Sequence, residues 1–222
     1  MLLTNRFVLL HVPKTGGTFL SQLCLAHLPS EWEAQLHPLT HAGYAHIPPE
    51  FAGLPVVLFV RNPWDWYVSW YSYAIQNPPP DGGWQWEVLL GDGNHTFKEA
   101  VAAACRPRGL AKSQGRRPLW LREMEAVGLD YYSAMHSLIA GGGIESGAIK
   151  VHRFEGLAQG FLDFLDSEDL DVPPSLRQAL REEAPLNASP GRTHYREYYD
   201  DETSELVRSK AAALIDLYRY EF

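Results

Sequence analysis

The sequence predicts an α/β protein: a three-layer sandwich with a central, mostly parallel sheet. Two short runs, 7–12 (FVLLHV) and 56–60 (VVLFV), are almost wholly apolar and show no alternation. Such runs are typical of strands buried on both faces of a parallel sheet. Each run is followed by a segment with helical spacing, and 148–154 is a third strand candidate. Buried strands that alternate with helices favour a parallel sheet covered on both sides.

The helices follow from spacing and end signals. In 18–28 apolar residues recur every three or four positions, which predicts a helix. A second helix is predicted from Pro63 to about Ile75, because Asn62 suits the N-cap, proline suits the first helical position and Asp65 suits the first turn. The segment 29–55, between the first helix and the second strand, is predicted to be irregular. Further helices are predicted near 97–105, through Met124, near 131–139, at 157–165 and at 201–218.

Length and composition favour one globular domain over residues 1–222. Segment 77–120 is rich in proline and glycine and is either an insertion or lid over the sheet or a plain surface excursion. The formal net charge of −8 argues against nucleic acid as a partner, although a local basic pocket could still hold a small anion. The two cysteines, Cys24 and Cys105, are expected to be buried thiols. No span or signal peptide is recognised, so no membrane partner and a cytoplasmic location are expected.

The most informative stretch is 7–19, FVLLHVPKTGGTF, in which a strand-like run ends in a turn that opens a helix. Turns of this kind hold phosphate, because backbone N–H groups converge there and the helix adds its positive N-terminal end. Gly16 and Gly17 would let the backbone approach an anion closely. Lys14 adds a positive charge inside the turn, so the sequence predicts a phosphate-binding loop.

This loop differs from a nucleotide hydrolase loop. Such loops end in Gly-Lys followed by Ser or Thr, whose hydroxyl binds magnesium, but here Lys14 precedes the glycines. The second strand ends in Arg61, where a hydrolase commonly presents an acid to the metal. We therefore expect phosphate binding without a metal ion.

A second phosphate clamp is expected after the second strand. Arg61 follows VVLFV, at the sheet edge where ligands bind in open parallel sheets. Ser69 comes eight residues later, about two helical turns on. Two separate clamps predict a ligand with phosphates at both ends.

At this point the chain resembles the sulfotransferases. PKTGGT is similar to their 5′-phosphosulfate loop, and RNPWDWYVSWY is similar to their 3′-phosphate motif. The tail adds RFEGL (153–157) and YREYYDDE (195–202), which are similar to the end of carbohydrate-type sulfotransferases. The resemblance implies a P-loop-like sulfotransferase fold and in-line transfer of a sulfuryl group from 3′-phosphoadenosine 5′-phosphosulfate (PAPS) to a hydroxyl, with adenosine 3′,5′-bisphosphate (PAP) as product and no metal. The implied cofactor-binding residues are Lys14, Thr15, Gly16, Gly17, Thr18, Phe19, Arg61, Ser69 and Arg192.

Two positions in this resemblance, Trp66 and Arg192, need separate interpretation. Trp66 stands where the family often has a basic residue, which could change how the 3′ end or the adenine is held. Arg192 lies in SPGRTH, which resembles a Gly-Arg loop over the 3′-phosphoadenosine; a solvated loop arginine is the alternative.

The resemblance and the residues together suggest the catalytic groups. Lys14 is the group that would neutralise the leaving oxygen. For the base, histidine suits neutral pH, and His41 is preferred because HAGYAHIPPEF resembles the family stretch that starts with the catalytic histidine. A loop histidine with only structural hydrogen bonds is the alternative. The weaker candidates are His37, His46 and Glu33, and His11 is expected to pack or hydrogen-bond beside the loop.

The acceptor cannot be read from the sequence; a small molecule or a carbohydrate is expected, and the oligomeric state is open. Trp84 and Trp86 would either stack on an acceptor or anchor the insertion, and we prefer the anchor. Two other functions compete with sulfuryl transfer. One is a small-molecule kinase with a P-loop, and the other is a non-catalytic nucleotide-binding protein on the same fold.

Overall fold

The computed structural model describes residues 1–80, 83, 85–105, 128–182 and 193–222. The chain divides into two compact units, each made of two stretches of sequence. The first unit holds 1–61 and 136–188, and the second holds 62–135 and 189–222. A single domain over 1–222 stays a prediction, as does the insertion or lid at 77–120.

The first unit contains a five-stranded sheet in the order β3-β1-β2-β4-β5. The central parallel part consists of β2, β4 and β5, and β1 runs antiparallel to β2 and β3. All five residues of β4 are buried, as the unbroken apolar run predicts. The mixed α/β fold with a central, mostly parallel sheet flanked by helices is therefore confirmed. The strands are β1 Leu2–Leu3, β2 Val8–Leu10, β3 Gln35–Leu36, β4 Val56–Val60 and β5 Ile149–Arg153.

The helices begin and end close to where their sequence signals lie. Helix α2 starts at Pro63 because Asn62 Oδ1 accepts a hydrogen bond from the Trp64 amide at 3.0 Å, which satisfies one exposed amide of the first turn. The helices are α1 Gly17–His27, α2 Pro63–Gln76, α3 Phe97–Cys105, α4 Tyr131–Ala140, α5 Leu157–Ser167, α6 Pro174–Glu182, α7 Asp201–Lys210 and α8 Ala212–Tyr218.

One face of the sheet carries the aromatic core of the first unit. Phe7 and Phe59 lie on this face, and Phe161 and Phe164 on α5 pack against it. All four rings are at most 1% exposed, and their edge-to-face and stacked contacts fix the position of α5. Helices α1 and α6 complete the same core with Leu20, Leu23, Cys24, Leu176 and Leu180.

The second unit is built on helices and an aromatic cluster. Trp66 on α2 is fully buried and stacks on Tyr132 at 4.4 Å between ring centroids. Asp130, also fully buried, accepts hydrogen bonds from the Tyr67 hydroxyl at 2.7 Å and the Tyr132 amide at 3.0 Å, and so caps α4. The carboxylate is thus satisfied by neighbours rather than left as a buried lone charge.

Several boundaries differ from the sequence prediction. The helix predicted over 201–218 breaks at Ala211 into α7 and α8. Helix α6 was not predicted, and the segment predicted to be irregular contains the short edge strand β3. Strand β2 is shorter than 7–12, because residues 11 and 12 already belong to the loop. The helix predicted through Met124 lies outside the described residues.

Within the described ranges, every helix is too short or too polar to cross a lipid bilayer. Cys24 and Cys105 are buried and are not joined to each other in a disulfide, and the prediction of buried thiols is confirmed.

The aromatic core of the first unit predicts the cost of truncating its central ring. We expect Phe161→Ala to lower the free energy of unfolding by about 3–5 kcal/mol, because the neighbouring rings cannot fill the cavity. Chemical denaturation measures this change. Gln22→Ala, on the exposed face of α1, is the control and should change stability by less than about 0.5 kcal/mol. Equal stabilities of the two variants would contradict the packing described.

Candidate functional site

The candidate site lies in the first unit, where the three parallel strands end. Strand β2 leads into the loop 11–16, β4 leads into Arg61, and β5 leads into Phe154. Parallel strands present their carboxyl ends at the same edge of the sheet, where α/β proteins bind ligands. The sequence predicted the first two of these contributions.

The loop has the backbone of an anion-binding turn. Lys14 has a φ of 64° and Gly16 a φ of 83°, both in the left-handed region. Helix α1 starts at Gly17, and its N-cap, Gly16, has no side chain that could cap the first amides. The N-cap side chain therefore does not satisfy the first amides of α1, and a helix start of this kind favours a negative ligand.

Both glycines are needed because the loop is tightly packed. A Cβ on Gly16 would lie 2.4 Å from Leu157 Cδ2, and one on Gly17 would lie 2.3 Å from His11 Cδ2. No real Cβ approaches another atom so closely. A larger residue at either position would have to displace the Leu157 or the His11 side chain, and at Gly16 it would also meet a left-handed backbone, so the loop favours glycine at both.

The side chains of the other residues in and after the loop differ in whether they are buried or exposed. The Thr15 hydroxyl is buried and donates a hydrogen bond to the Val12 carbonyl oxygen at 2.8 Å, which closes the turn. The Phe19 side chain lies in the core at 3% exposure, so only its main chain can contribute to ligand binding. Thr18 is exposed near the start of α1.

Arg61 holds the loop from the neighbouring strand. Its Nη1 donates a hydrogen bond to the Lys14 carbonyl oxygen at 3.0 Å, and its guanidinium carbon lies 4.2 Å from the centre of the Phe154 ring. The residue is only 5% exposed. A buried cation of this kind needs partners, and the loop carbonyl and the aromatic face supply them. Sequence reasoning predicted Arg61 as a phosphate ligand but missed this anchoring contact, for which the RFEGL segment was the available signal.

Two histidines meet beside the loop. His41 Nδ1 donates a hydrogen bond to the His11 carbonyl oxygen at 2.9 Å, and the two rings meet edge to face at 4.7 Å between centroids. His11 is 8% exposed, whereas His41 as a whole is exposed. Burial lowers the pKa of His11 to about 3, with smaller contributions from the positive charges of His41, the amino terminus and Lys14. Burial also lowers the pKa of His41, against the opposing effect of its bond to His11. Both rings are therefore neutral at pH 7.

The remaining candidate bases have contacts or positions within their own segments of the described chain. His37 accepts a hydrogen bond from the Leu39 amide at 3.0 Å within its own turn. His46 ends a short 3₁₀ helix, and Glu33 lies on the surface with a φ of 52°.

Several predicted residues belong to the second unit or fall outside the described residues. Ser69 lies on α2 and is 6% exposed. Trp66 belongs to the buried aromatic cluster, so its departure from the family pattern serves packing within its own unit. Trp86 packs against Gly93 within the same segment, and its role as an anchor or as a platform for an acceptor stays a prediction. Arg192 and Trp84 lie outside the described residues.

Among the residues that the structure describes, no three His, Cys, Asp or Glu side chains are grouped so that they could hold a metal ion.

The fold is similar to that of mouse sulfotransferase SULT7A1, solved in complex with PAP. The TM-score is 0.53 at 13% sequence identity, and the match covers 93% of this chain and 83% of the mouse protein. No protein-family model matches the sequence, and a search of the curated proteins finds no relative. The chain therefore has the fold of the sulfotransferases, and at this identity the similarity establishes the fold alone.

The loop geometry predicts the effect of a small change at Gly16. We expect Gly16→Ala to destabilise the protein for two reasons, the left-handed backbone and the contact with Leu157. Adding Leu157→Ala removes only the contact, so we expect the second change to cost less in the Gly16→Ala background than in the wild type. Melting temperatures of the four proteins in this double-mutant cycle measure the coupling. Additive effects would contradict the contact.

The buried, neutral His11 predicts a pH effect on stability. The folded pKa of about 3 lies below the unfolded value of about 6.5, so the unfolded state binds more protons between these values. The free energy of unfolding should therefore fall as the pH drops below 6.5, with His11 contributing up to about 1.4 kcal/mol per pH unit. We expect His11→Gln to have a shallower slope between pH 6.5 and 5 in denaturation titrations. An unchanged slope would show that folding does not lower the pKa of His11.

Proposed function

We propose that the protein is a sulfotransferase that moves a sulfuryl group from PAPS to a hydroxyl acceptor. One observation carries this proposal: an anion-binding loop with Lys14 inside it is hydrogen-bonded to a buried arginine at the tip of the adjacent strand. The fold is that of the sulfotransferases, and the similar mouse enzyme was solved with PAP. The sequence motifs at the loop and after β4 point the same way.

The loop residues fit the 5′ end of PAPS. Gly16 and Gly17 let the loop pack closely against Leu157 and His11, and no side chain of the N-cap residue binds the first amides of α1, which would receive the phosphate. These positions, together with Lys14, Thr15, Thr18 and the main chain of Phe19, would hold the 5′-phosphosulfate. The 3′-phosphate is assigned on the sequence motifs alone to Arg61, Ser69 and Arg192.

When bound, PAPS supplies the sulfuryl group and a phosphate leaving group. His41 would take the proton of the acceptor hydroxyl, so that this oxygen could act as the nucleophile. Lys14 would place its positive charge beside the phosphate that leaves and would stabilise the negative charge which that phosphate gains. The loop amides hold the phosphate still, so that the protein contributes mainly position and charge.

Two alternative functions are less well supported. A small-molecule kinase would be expected to present an acid to magnesium after β4, where this chain has Arg61. A non-catalytic binding protein would have no need of a lysine at a left-handed position, where a residue other than glycine is unfavourable. The acceptor is proposed to be a small molecule or a carbohydrate, and the cytoplasmic location stays a prediction.

Ligand binding tests the proposal. We expect PAP to raise the melting temperature more than ATP with magnesium does, because the site binds two separate phosphates without a metal. We expect Lys14→Met to abolish sulfuryl transfer from PAPS, measured with labelled donor and a panel of sugars, phenols and alcohols. Lys210→Met, at the end of α7, is the matched control and should retain wild-type transfer. A larger shift with ATP and magnesium would contradict the proposal.

A further inference from the structure

The hydrogen bond between His41 and the loop determines which nitrogen of His41 carries a proton. Its Nδ1 lies 2.9 Å from the His11 carbonyl oxygen. A carbonyl oxygen can only accept, so Nδ1 must be the protonated nitrogen. In the neutral ring the lone pair then resides on Nε2.

The position of the ring is fixed as well as its tautomer. The His11 ring meets the His41 ring edge to face, and the same His11 ring lies close against Gly17 at the start of α1. His11 therefore contacts His41 through both its main chain and its side chain, and it belongs to the loop that carries Lys14. His41 is separated from this loop by thirty positions in the sequence, yet the loop itself holds it.

We infer that His11 is the positioning residue for the catalytic base: its carbonyl holds His41 as the Nδ1-protonated tautomer and presents Nε2 as the proton acceptor. This inference rests on the proposed function for the role of Nε2, although the tautomer itself does not. One loop then carries the lysine that neutralises the leaving oxygen and also aligns the group that takes the proton. Lowering of the His41 pKa by burial supports this, because it keeps Nε2 unprotonated at neutral pH.

Two substitutions of His41 distinguish a catalytic base from a residue that only forms a structural hydrogen bond to the loop. In His41→Asn the side-chain NH₂ can occupy the place of Nδ1 and keep the bond to the His11 carbonyl, but no group replaces Nε2. In His41→Gln the amide reaches towards the Nε2 position and the bond to His11 is lost. A purely structural role predicts that the asparagine variant keeps its activity and the glutamine variant does not.

The experiment combines spectroscopy with kinetics. Nitrogen-15 NMR of the free protein should show a protonated Nδ1 and an unprotonated Nε2 for His41. We expect His41→Asn to lose about 10²–10⁴-fold in turnover while its PAP affinity and melting temperature stay close to wild type. His41→Gln should lose turnover to a similar extent and should also melt at a lower temperature.

Two results would overturn the inference. A protonated Nε2 in the spectrum would disprove the tether, whatever the activity of the protein. Wild-type turnover in His41→Asn would disprove the role of Nε2. Failure of the proposed function looks different, because wild-type protein would then transfer no sulfuryl group and would not bind PAP, while the spectrum would still decide the tautomer.

Discussion

The hydrogen bond from the Arg61 guanidinium to the Lys14 carbonyl is the interaction on which the site depends. It joins the loop after β2 to the tip of β4, and it is made by a cation almost excluded from water. Loss of the bond would leave a buried charge without one of its partners, which costs far more than an ordinary surface contact. The hydrogen bond from Arg61, at the end of β4, therefore stabilises the shape of the loop.

Residues that follow β5 pack around the same loop and the Arg61 guanidinium. Phe154 supports the guanidinium from the end of β5, and Leu157, one turn further on, fills the space beside Gly16. The three parallel strands thus contribute a loop, a cation and an aromatic support in turn. The residues of the candidate site follow directly after the strands. The register of the sheet therefore fixes the positions of these residues relative to one another.

Local signals in the sequence predicted the elements that depend on local chemistry. The unbroken run VVLFV and the Asn62-Pro63 start gave β4 and α2 almost residue for residue, because burial and capping are encoded there. Strands β1 and β3 escaped prediction because each is two residues long and exists only through pairing. In the site, glycines and Lys14 were readable from the motif, but the contacts of Arg61 with Phe154 and of His11 with His41 join distant segments. Such contacts follow from topology, which no single-sequence pattern carries.

The left-handed backbone of Lys14 has a consequence for evolution and engineering. Glycine would adopt that conformation without strain, whereas lysine gives up part of the conformational stability of the fold to place an amine there. Glycine at position 14 would therefore relieve the backbone strain but would remove the amine on which the proposed function depends.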